Sequence, residues 1–364
     1  MDVIELFKSM LERKSETPDD GGALAWISEY LEGYTSLVIN REEVQNLFIY
    51  KKFSEGPHLC FAGHVDVVPA GEGWDTDPYT AVEEDGYIYG RGAQDMKSGL
   101  SAFIQAVHDT KAFTGTLSLL LTSDEEGPAK NGTVKVLEVL KEKDLIPDAC
   151  IVAEPTCETV FGDAMKIGRR GSINGVIEKI GKQGHAAYPE KATNPIHKVA
   201  QVLHHMAGVN LDEGDEFFSP SQFVVTDIRA GMEVTNVTPG KLKMMFNVRN
   251  STKTDQKAIE DFVHLYFKEM NYTLKLDQSA YPFMTDVNTH VVRTLDAAIE
   301  KVTGVKTKHS TAGGTSDARF IAPYGVDVVE FGVRNDTIHA PNERTSKEEV
   351  QKLYEVFREL IETF

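Results

Sequence analysis

Apolar positions in the first half of the chain follow two different periods. Helical spacing and short apolar runs alternate, with helices predicted at 20–34, 97–110 and 132–144 and buried strands at 58–63, 116–123 and 148–154. Strands that alternate with helices form a largely parallel sheet covered on both faces, so this half predicts an α/β domain. Polar residues cluster directly after the strands, where open α/β sheets place their ligands.

The pattern changes near residue 172. Apolar and more polar residues alternate through 241–248, which predicts a strand in a sheet with one wet face. Segments 194–208 and 255–270 have helical spacing. This part of the chain therefore predicts an α+β domain.

The alternation of the first half returns from about residue 286. A length of 364 residues also favours two domains. We therefore predict a catalytic domain in two parts, 1–171 and 286–364, interrupted by a smaller domain at 172–285.

Charge and cysteine content narrow the functional classes. The chain has 38 Lys and Arg against 56 Asp and Glu, a net charge of −18, which argues against a nucleic-acid or anionic-membrane surface. No apolar run reaches the length that spans a bilayer. Its 3 cysteines cannot all pair, which favours a reducing compartment, so we predict a cytoplasmic protein.

Acidic and imidazole side chains follow the predicted strands and occupy nearby loops. His64 and Asp66 alone are either a metal ligand with an orienting carboxylate or a hydrogen-bonded pair at a sheet edge. The remaining candidates are Asp95, Asp124, Glu125, Glu126, Glu154 and His339. Carboxylates and imidazoles at one sheet edge suit zinc or a similar divalent ion, and a shared Asp95 would suit a two-metal hydrolytic site.

Sequence motifs in order along the chain carry a specific resemblance. They are GHVDVVPAGEGW, RGAQDMKSG, TSDEEG, AEPT, RRGS, GKQGHAAYP, GGTSDARFI and GVRNDTIHAPNE. Together they run from about residue 61 to 343 and resemble the M20 family of zinc-dependent amidohydrolases. The resemblance implies a zinc-peptidase-like catalytic domain with a mainly parallel central sheet, interrupted by a lid and dimerisation domain.

The resemblance also implies two bound Zn²⁺ ions, for which Co²⁺ or Mn²⁺ can substitute. Asp95 would bridge the ions, with His64 and Glu154 completing one site and Glu126 and His339 the other. Asp66 would orient His64.

Glu125 and Glu126 divide two roles between them. Consecutive residues do not easily face one ion, so one is a ligand and the other a general base. Their roles are interchangeable from the residues alone. The resemblance makes Glu125 the general acid and base.

Substrate contacts are also implied by the resemblance. His185 and Asn236 match residues that stabilise the oxyanion, and in the family's homodimers this histidine comes from the partner subunit. Other matches to substrate-binding positions are Arg169 or Arg170, Tyr188, Arg249, Gly314, Thr315 and Ser316. Guanidinium groups at these positions suit a small anionic N-acyl amino acid.

Three functional interpretations follow from the resemblance. The GGTSDARFI and FNVR segments favour cleavage of N-succinyl-LL-diaminopimelate, a step towards lysine and diaminopimelate-containing cell-wall precursors. The first alternative is an acetylornithine deacetylase or a metallo-carboxypeptidase of the same family, which would use the same metal ligands. A non-catalytic binding relative is the third interpretation, and the presence of every matched ligand together with Glu125 argues against it.

Overall fold

A computed structural model describes residues 1–364. The helices are α1 (Val3–Leu11), α2 (Ala23–Tyr30), α3 (Ser98–Asp109), α4 (Thr133–Glu142), α5 (Pro195–Leu203), α6 (Gln256–Phe267), α7 (His290–Thr303), α8 (Ala318–Ile321) and α9 (Lys347–Thr363). No helix is both long enough and apolar enough to cross a bilayer.

The strands are mostly short. They are β1 (Thr35–Val38), β2 (Asn46–Lys52), β3 (His58–His64), β4 (Val82–Glu84), β5 (Tyr87–Tyr89), β6 (Thr116–Thr122), β7 (Ala149–Val152), β8 (Ala164–Lys166), β9 (Gly168–Arg169), β10 (Ser172–Ile180), β11 (Gly184–His185), β12 (Phe223–Ala230), β13 (Val237–Thr238), β14 (Lys241–Val248), β15 (Tyr272–Ala280), β16 (Phe283–Met284), β17 (Lys308–Ser310), β18 (Asp327–Glu330) and β19 (Arg344–Ser346).

The chain forms two compact units. The first comprises Met1–Gly168, Met284–Ser310 and Ser316–Phe364, and the second comprises Arg169–Phe283 and Thr311–Thr315. The insertion expected at 172–285 overlaps the longer segment of the second unit.

The first unit is built on an 8-stranded sheet in the order β1-β2-β6-β3-β7-β18-β8-β17. Its central strands β6, β3, β7 and β18 are parallel neighbours. Every residue from Leu59 to His64 in β3 is buried, so both faces of the sheet are covered at this strand. The predicted α/β class with a mainly parallel sheet is therefore confirmed.

Aromatic packing fixes the central strand against two helices of the first unit. The ring of Phe61 in β3 lies 5.7 Å from that of Phe103 in α3 and 5.2 Å from that of Phe357 in α9. Ser346 caps α9, because its hydroxyl accepts a hydrogen bond from the Glu349 N–H. The carboxylate of Glu349 turns instead to Arg334, so only half of a capping box forms.

The second unit contains a 4-stranded antiparallel sheet in the order β12-β14-β10-β15. Leu242, Met244, Phe246 and Val248 of β14 are buried and alternate with more accessible residues, as the sequence predicted. The buried side chains pack with α5 and α6, on which Val199 and Ile259 belong to the same core. The sequence pattern made no prediction for β15, the other edge of this sheet.

Candidate active site in the first unit

The parallel strands bring their carboxyl ends, and the acidic residues that follow them, to one edge of the sheet. His64 is the last residue of β3 and pairs in register with Thr122, the last residue of β6. Glu125 and Glu126 follow β6, and Glu154 follows β7 by two residues. This edge is where open α/β sheets bind their ligands.

Asp95 lies between two histidine–glutamate pairs. Its Oδ1 is 3.0 Å from Nε2 of His64, and its Oδ2 is 3.1 Å from Nε2 of His339. Glu154 Oε1 lies 3.7 Å from the same His64 nitrogen, and Glu126 Oε1 lies 2.9 Å from the His339 nitrogen. The two oxygens of the Asp95 carboxylate therefore face two separate histidine–glutamate pairs.

His64 is oriented mainly by the backbone of Asp66. Its Nδ1 lies 2.8 Å from the Asp66 carbonyl oxygen, whereas the nearest Asp66 carboxylate oxygen is 3.7 Å away. The other carboxylate oxygen of Asp66 accepts a hydrogen bond of 3.1 Å from the Glu126 N–H. Asp66 therefore contacts both His64 and the backbone of Glu126, through different groups.

The charged side chains of the cluster shift one another's pKa values. Burial lowers the pKa of His64, but Asp95 and Glu154 outweigh burial and hold this pKa well above its usual value. Hydrogen bonding to Asp95 and Glu126 raises the pKa of His339 to about 10. Burial raises the pKa of Glu154, and the nearby Asp95 carboxylate raises it further.

Glu125 differs from its neighbour in its contacts. The Glu126 carboxylate lies against His339, whereas Glu125 is half-buried and forms none of the hydrogen bonds of the cluster. Burial raises the pKa of Glu125 well above its usual value; His64 opposes the shift, and Asp317 and Asp95 add to it. A carboxylate with a raised pKa can both accept and return a proton near neutral pH.

The donor set fits divalent cations. One ligand atom from each of His64, Asp95 and Glu126 lies within 4.8 Å of the other two. Imidazole nitrogens and carboxylate oxygens are ligands for zinc, cobalt and manganese. The raised pKa values of His64 and His339 favour protonated imidazoles that compensate the carboxylates, and a cation would replace the imidazole protons in that role.

Two buried residues next to the cluster were assigned no function by the sequence patterns. Arg91 is 2% exposed and Glu343 is 0% exposed, and Arg91 Nη1 lies 2.6 Å from Glu343 Oε2. Both lie inside the quoted motifs, Arg91 at the start of RGAQDMKSG and Glu343 at the end of GVRNDTIHAPNE. A charged residue in a Gly- or Pro-rich loop has no periodicity that would reveal burial.

Three predicted site residues lie together in the second unit. His185 of β11 pairs in register with Val237 of β13, and the Ala186 N–H donates to the Asn236 carbonyl. The Tyr188 ring lies 5.8 Å from the His185 ring. His185, Asn236 and Tyr188 are all exposed, and their roles stay predictions.

The neighbouring arginines differ in their surroundings. Arg169 is buried, and its Nη1 donates to the carbonyl of Ala312 at 3.1 Å and to that of Gly314 at 3.5 Å. Arg170 is half-buried, and its Nε has no hydrogen-bond partner. Burial lowers the pKa of Arg170, and the nearby positive charge of Arg249 lowers it further.

The GGTSD segment divides between the two units. Gly314 is exposed and Thr315 half-buried, and both belong to the second unit. Ser316 belongs to the first unit, is 1% exposed, and donates its hydroxyl to Glu330 at 2.6 Å. The Ser316 hydroxyl is thus engaged within the protein, and its substrate contact stays a prediction.

A carboxylate shared between two histidine–glutamate pairs, at the carboxyl edge of a mainly parallel sheet, is typical of metal-dependent hydrolases. The sequence pattern of peptidase family M20/M25/M40 matches residues 60–363. The chain belongs to this family, as the motifs indicated.

Full-length relatives carry a consistent name. The chain is 70% identical to the succinyl-diaminopimelate desuccinylase of a Nitratiruptor species, with 100% of each sequence covered. It is 69% identical to the succinyl-diaminopimelate desuccinylase of a Sulfurovum species, covering 100% of this chain and 99% of that protein.

Solved structures share the fold at low sequence identity. Aminopeptidase PepT from Bacillus cereus ATCC 10987 aligns with a TM-score of 0.82 and 19% identity, covering 99% of this chain and 97% of that one. The YXEP protein of Bacillus subtilis, a dinuclear metal-binding peptidase from the M20 family, aligns with a TM-score of 0.75 and 16% identity, covering 100% and 98% of the two chains.

The raised pKa of His339 predicts how pH affects the metal-free protein. The stabilisation from its charged hydrogen bonds is fully present below about pH 6.5 and is lost as pH rises through about 10. We expect metal-free His339→Asn to be less stable than the wild type at neutral pH and equally stable above about pH 11. Asn suits this position because the His339 backbone is left-handed, with φ 58°.

Thermal unfolding of both chelator-treated proteins across this pH range measures the difference. The exposed His197 on α5 supplies the control, since His197→Asn should not change stability at any pH in the range. A stability difference between wild type and His339→Asn that persists unchanged at high pH would contradict the assigned ionisation.

Proposed function

We propose that the protein hydrolyses N-succinyl-LL-diaminopimelate to succinate and LL-diaminopimelate, a step towards lysine and cell-wall precursors. The observation that carries the chemistry is the position of Asp95, whose two oxygens face His64 at 3.0 Å and His339 at 3.1 Å. Identity of 70% over the full length of a desuccinylase supports the substrate. The proposed metal is zinc, two ions per chain, with cobalt or manganese as substitutes.

The proposed division of labour follows the contacts. His64 and Glu154 would hold one ion and Glu126 and His339 the other, with Asp95 shared. When bound, such ions lower the pKa of water and polarise an amide carbonyl.

Proton transfer falls to Glu125 in this proposal. Its carboxylate is free of the hydrogen bonds that hold the ligands, and its pKa is raised by burial. Glu125 would accept a proton from the attacking water and donate it to the departing amine. Asp66 would keep the His64 ring in place through its carbonyl, which accepts from Nδ1.

Recognition of the substrate carboxylates is assigned to Arg170 and Arg249. The two guanidiniums are close enough for the charge of Arg249 to lower the pKa of Arg170, and neither is paired with a carboxylate. Two unpaired cations in a protein of net charge −18 favour an anionic ligand between them. Arg169 instead holds the carbonyls of Ala312 and Gly314, which supports a role in shaping that loop.

The second unit also supports the proposed homodimer. Strand β12 is an edge strand of its sheet and carries Val224 and Ile228, which are 43% and 41% exposed. Exposed apolar residues on an unpaired edge favour pairing with a second copy. In that dimer His185 and Asn236 would stabilise the oxyanion in the partner's site.

A cytoplasmic location is proposed from the cysteines. Cys60, Cys150 and Cys157 are all free and buried, which suits a reducing compartment.

The substrate assignment predicts a selective activity. The zinc-loaded protein should cleave N-succinyl-LL-diaminopimelate with a kcat/KM at least ~100-fold above that for N-acetylornithine or a dipeptide. Release of succinate, followed before and after treatment with a chelator, measures both the selectivity and the metal requirement. Faster cleavage of a comparator would retain the metal chemistry and overturn the substrate, and no cleavage of any would favour a non-catalytic relative.

Replacement of Glu125 should impair catalysis without affecting metal binding. Glu125→Ala should lower kcat by about 10²–10⁴-fold, because proton transfer is lost while the ligands remain. Metal content, measured by mass spectrometry of the purified protein, should equal that of the wild type. Glu126→Ala is the matched neighbour and should lose metal; the reverse pattern would exchange the two roles.

Mixing variants extends this test to the dimer. If each site combines Glu125 of one subunit with His185 of the other, Glu125→Ala and His185→Ala proteins should regain activity when subunits exchange. A mixture as inactive as either variant, although exchange is demonstrated, would place both groups on one chain.

The arginine assignment predicts different effects for neighbouring residues. Arg170→Gln and Arg249→Gln should each lower kcat/KM for the succinyl substrate by about 10–100-fold, the loss expected for a hydrogen bond to a charged group. Steady-state kinetics measures this, with Arg358→Gln as control, since Arg358 lies in the first unit, on α9, and is paired with Glu362. Unchanged kinetics for both variants would remove these residues from the substrate site.

A further inference from the structure

The buried ion pair of Arg91 and Glu343 contacts the loop that carries Asp95. Glu343 Oε2 accepts from the Gly92 N–H at 3.0 Å. Its Oε1 accepts from the N–H of Gln94 at 2.7 Å and from that of Asp95 at 3.1 Å. One carboxylate thus fixes three backbone N–H groups of this loop, including that of Asp95 itself.

The other half of the pair contacts the loop that carries His339. Arg91 donates to the His339 carbonyl at 3.3 Å, to the Ala340 carbonyl at 3.4 Å and to the Ala70 carbonyl at 3.0 Å. Its guanidinium lies 5.2 Å from the centre of the Trp74 ring. His339 has a left-handed backbone with φ 58°, which is uncommon for a residue with a side chain, so its conformation depends on such contacts.

His64 and Glu154 have different supports. His64 ends β3 and bonds to the Asp66 carbonyl, and Glu154 follows β7, a buried strand of the sheet. Arg91 and Glu343 make no hydrogen bond to either residue. The ion pair therefore acts on one side of the cluster, through Asp95 and His339.

We propose that Arg91 and Glu343 are positioning residues that set the affinity of the metal site formed by Asp95, Glu126 and His339. This inference rests on the proposed two-metal function. The site formed by His64 and Glu154 depends less on the pair, because the sheet holds two of its three ligands. A hydrogen-bonded support of a ligand typically contributes about 10–100-fold to metal affinity.

The test is metal binding by the full chain carrying Glu343→Gln, which keeps the shape of the side chain and removes its charge. Zinc affinity is measured by competition with a chromophoric chelator, and the two sites are followed separately by the absorption of added Co²⁺. The first ion should bind as in the wild type, and the second should bind about 10–100-fold more weakly. The remaining strong site should resemble that of His339→Ala.

Glu349→Gln is the matched control. Glu349 is also a buried carboxylate that accepts from an arginine and a backbone N–H, in this case Nε of Arg334 at 2.6 Å and its N–H at 3.1 Å. It contacts no proposed ligand. Glu349→Gln should lower the unfolding temperature without changing either metal affinity, which separates positioning from general stability.

Arg91→Lys gives a second route should Glu343→Gln not fold. Lysine keeps the charge but cannot reach several carbonyls with a fork of donors, so the second ion should again be the weaker one. Equal weakening of both ions, or no weakening, in a folded variant overturns the positioning role while the two-metal function stands. A wild-type protein that binds fewer than two ions overturns both.

Discussion

Concentrated negative charge at one edge of the sheet is the constraint on which the site depends. Asp95, Glu125, Glu126 and Glu154 all lie there, in a protein whose net charge is already −18. Partly buried carboxylates are costly unless a positive charge compensates them. Two imidazoles with raised pKa values lie beside Asp95, His64 at 3.0 Å and His339 at 3.1 Å, and they supply that charge when protonated. A divalent cation compensates more charge, so the same cluster that is costly in the folded protein makes metal binding favourable.

The proposed ligands are held in two different ways. His64 ends the buried strand β3 and Glu154 follows the buried strand β7 by two residues, so the hydrogen bonds of the sheet determine their position. Asp95 lies in a kinked π-helical turn, Ala93–Lys97, and His339 lies on a loop, so no sheet partner fixes the backbone of either residue. The buried ion pair of Arg91 and Glu343 holds both segments instead. Removing one partner of such a pair strongly destabilises the structure, because the other charge stays buried without compensation.

The sequence predicted the parts of the structure that are periodic and could not predict those that depend on contacts between loops. Strand β3, strand β6 and the buried alternation of β14 follow from hydrophobic spacing, because burial there repeats every one or two residues. The contact of His64 with the Asp66 carbonyl rather than with its carboxylate depends on a backbone turn that no spacing reveals. Glu343 is buried against Arg91, which lies far away in the chain, so no local sequence pattern could predict this contact.

Chemistry and recognition are assigned to different compact units of one chain. The ligands and Glu125 belong to the first unit, whereas Arg170, Arg249 and His185 belong to the second. Segment Thr311–Thr315 belongs to the second unit but is joined at both ends to residues of the first, Ser310 in β17 and Ser316, whose hydroxyl bonds to Glu330. In this proposal, metal binding depends on residues packed within the first unit, and selectivity among amides with the same scissile bond depends on residues of the second. On the proposed roles, substitutions in the second unit would change substrate preference without removing a metal ligand, because all five proposed ligands belong to the first unit.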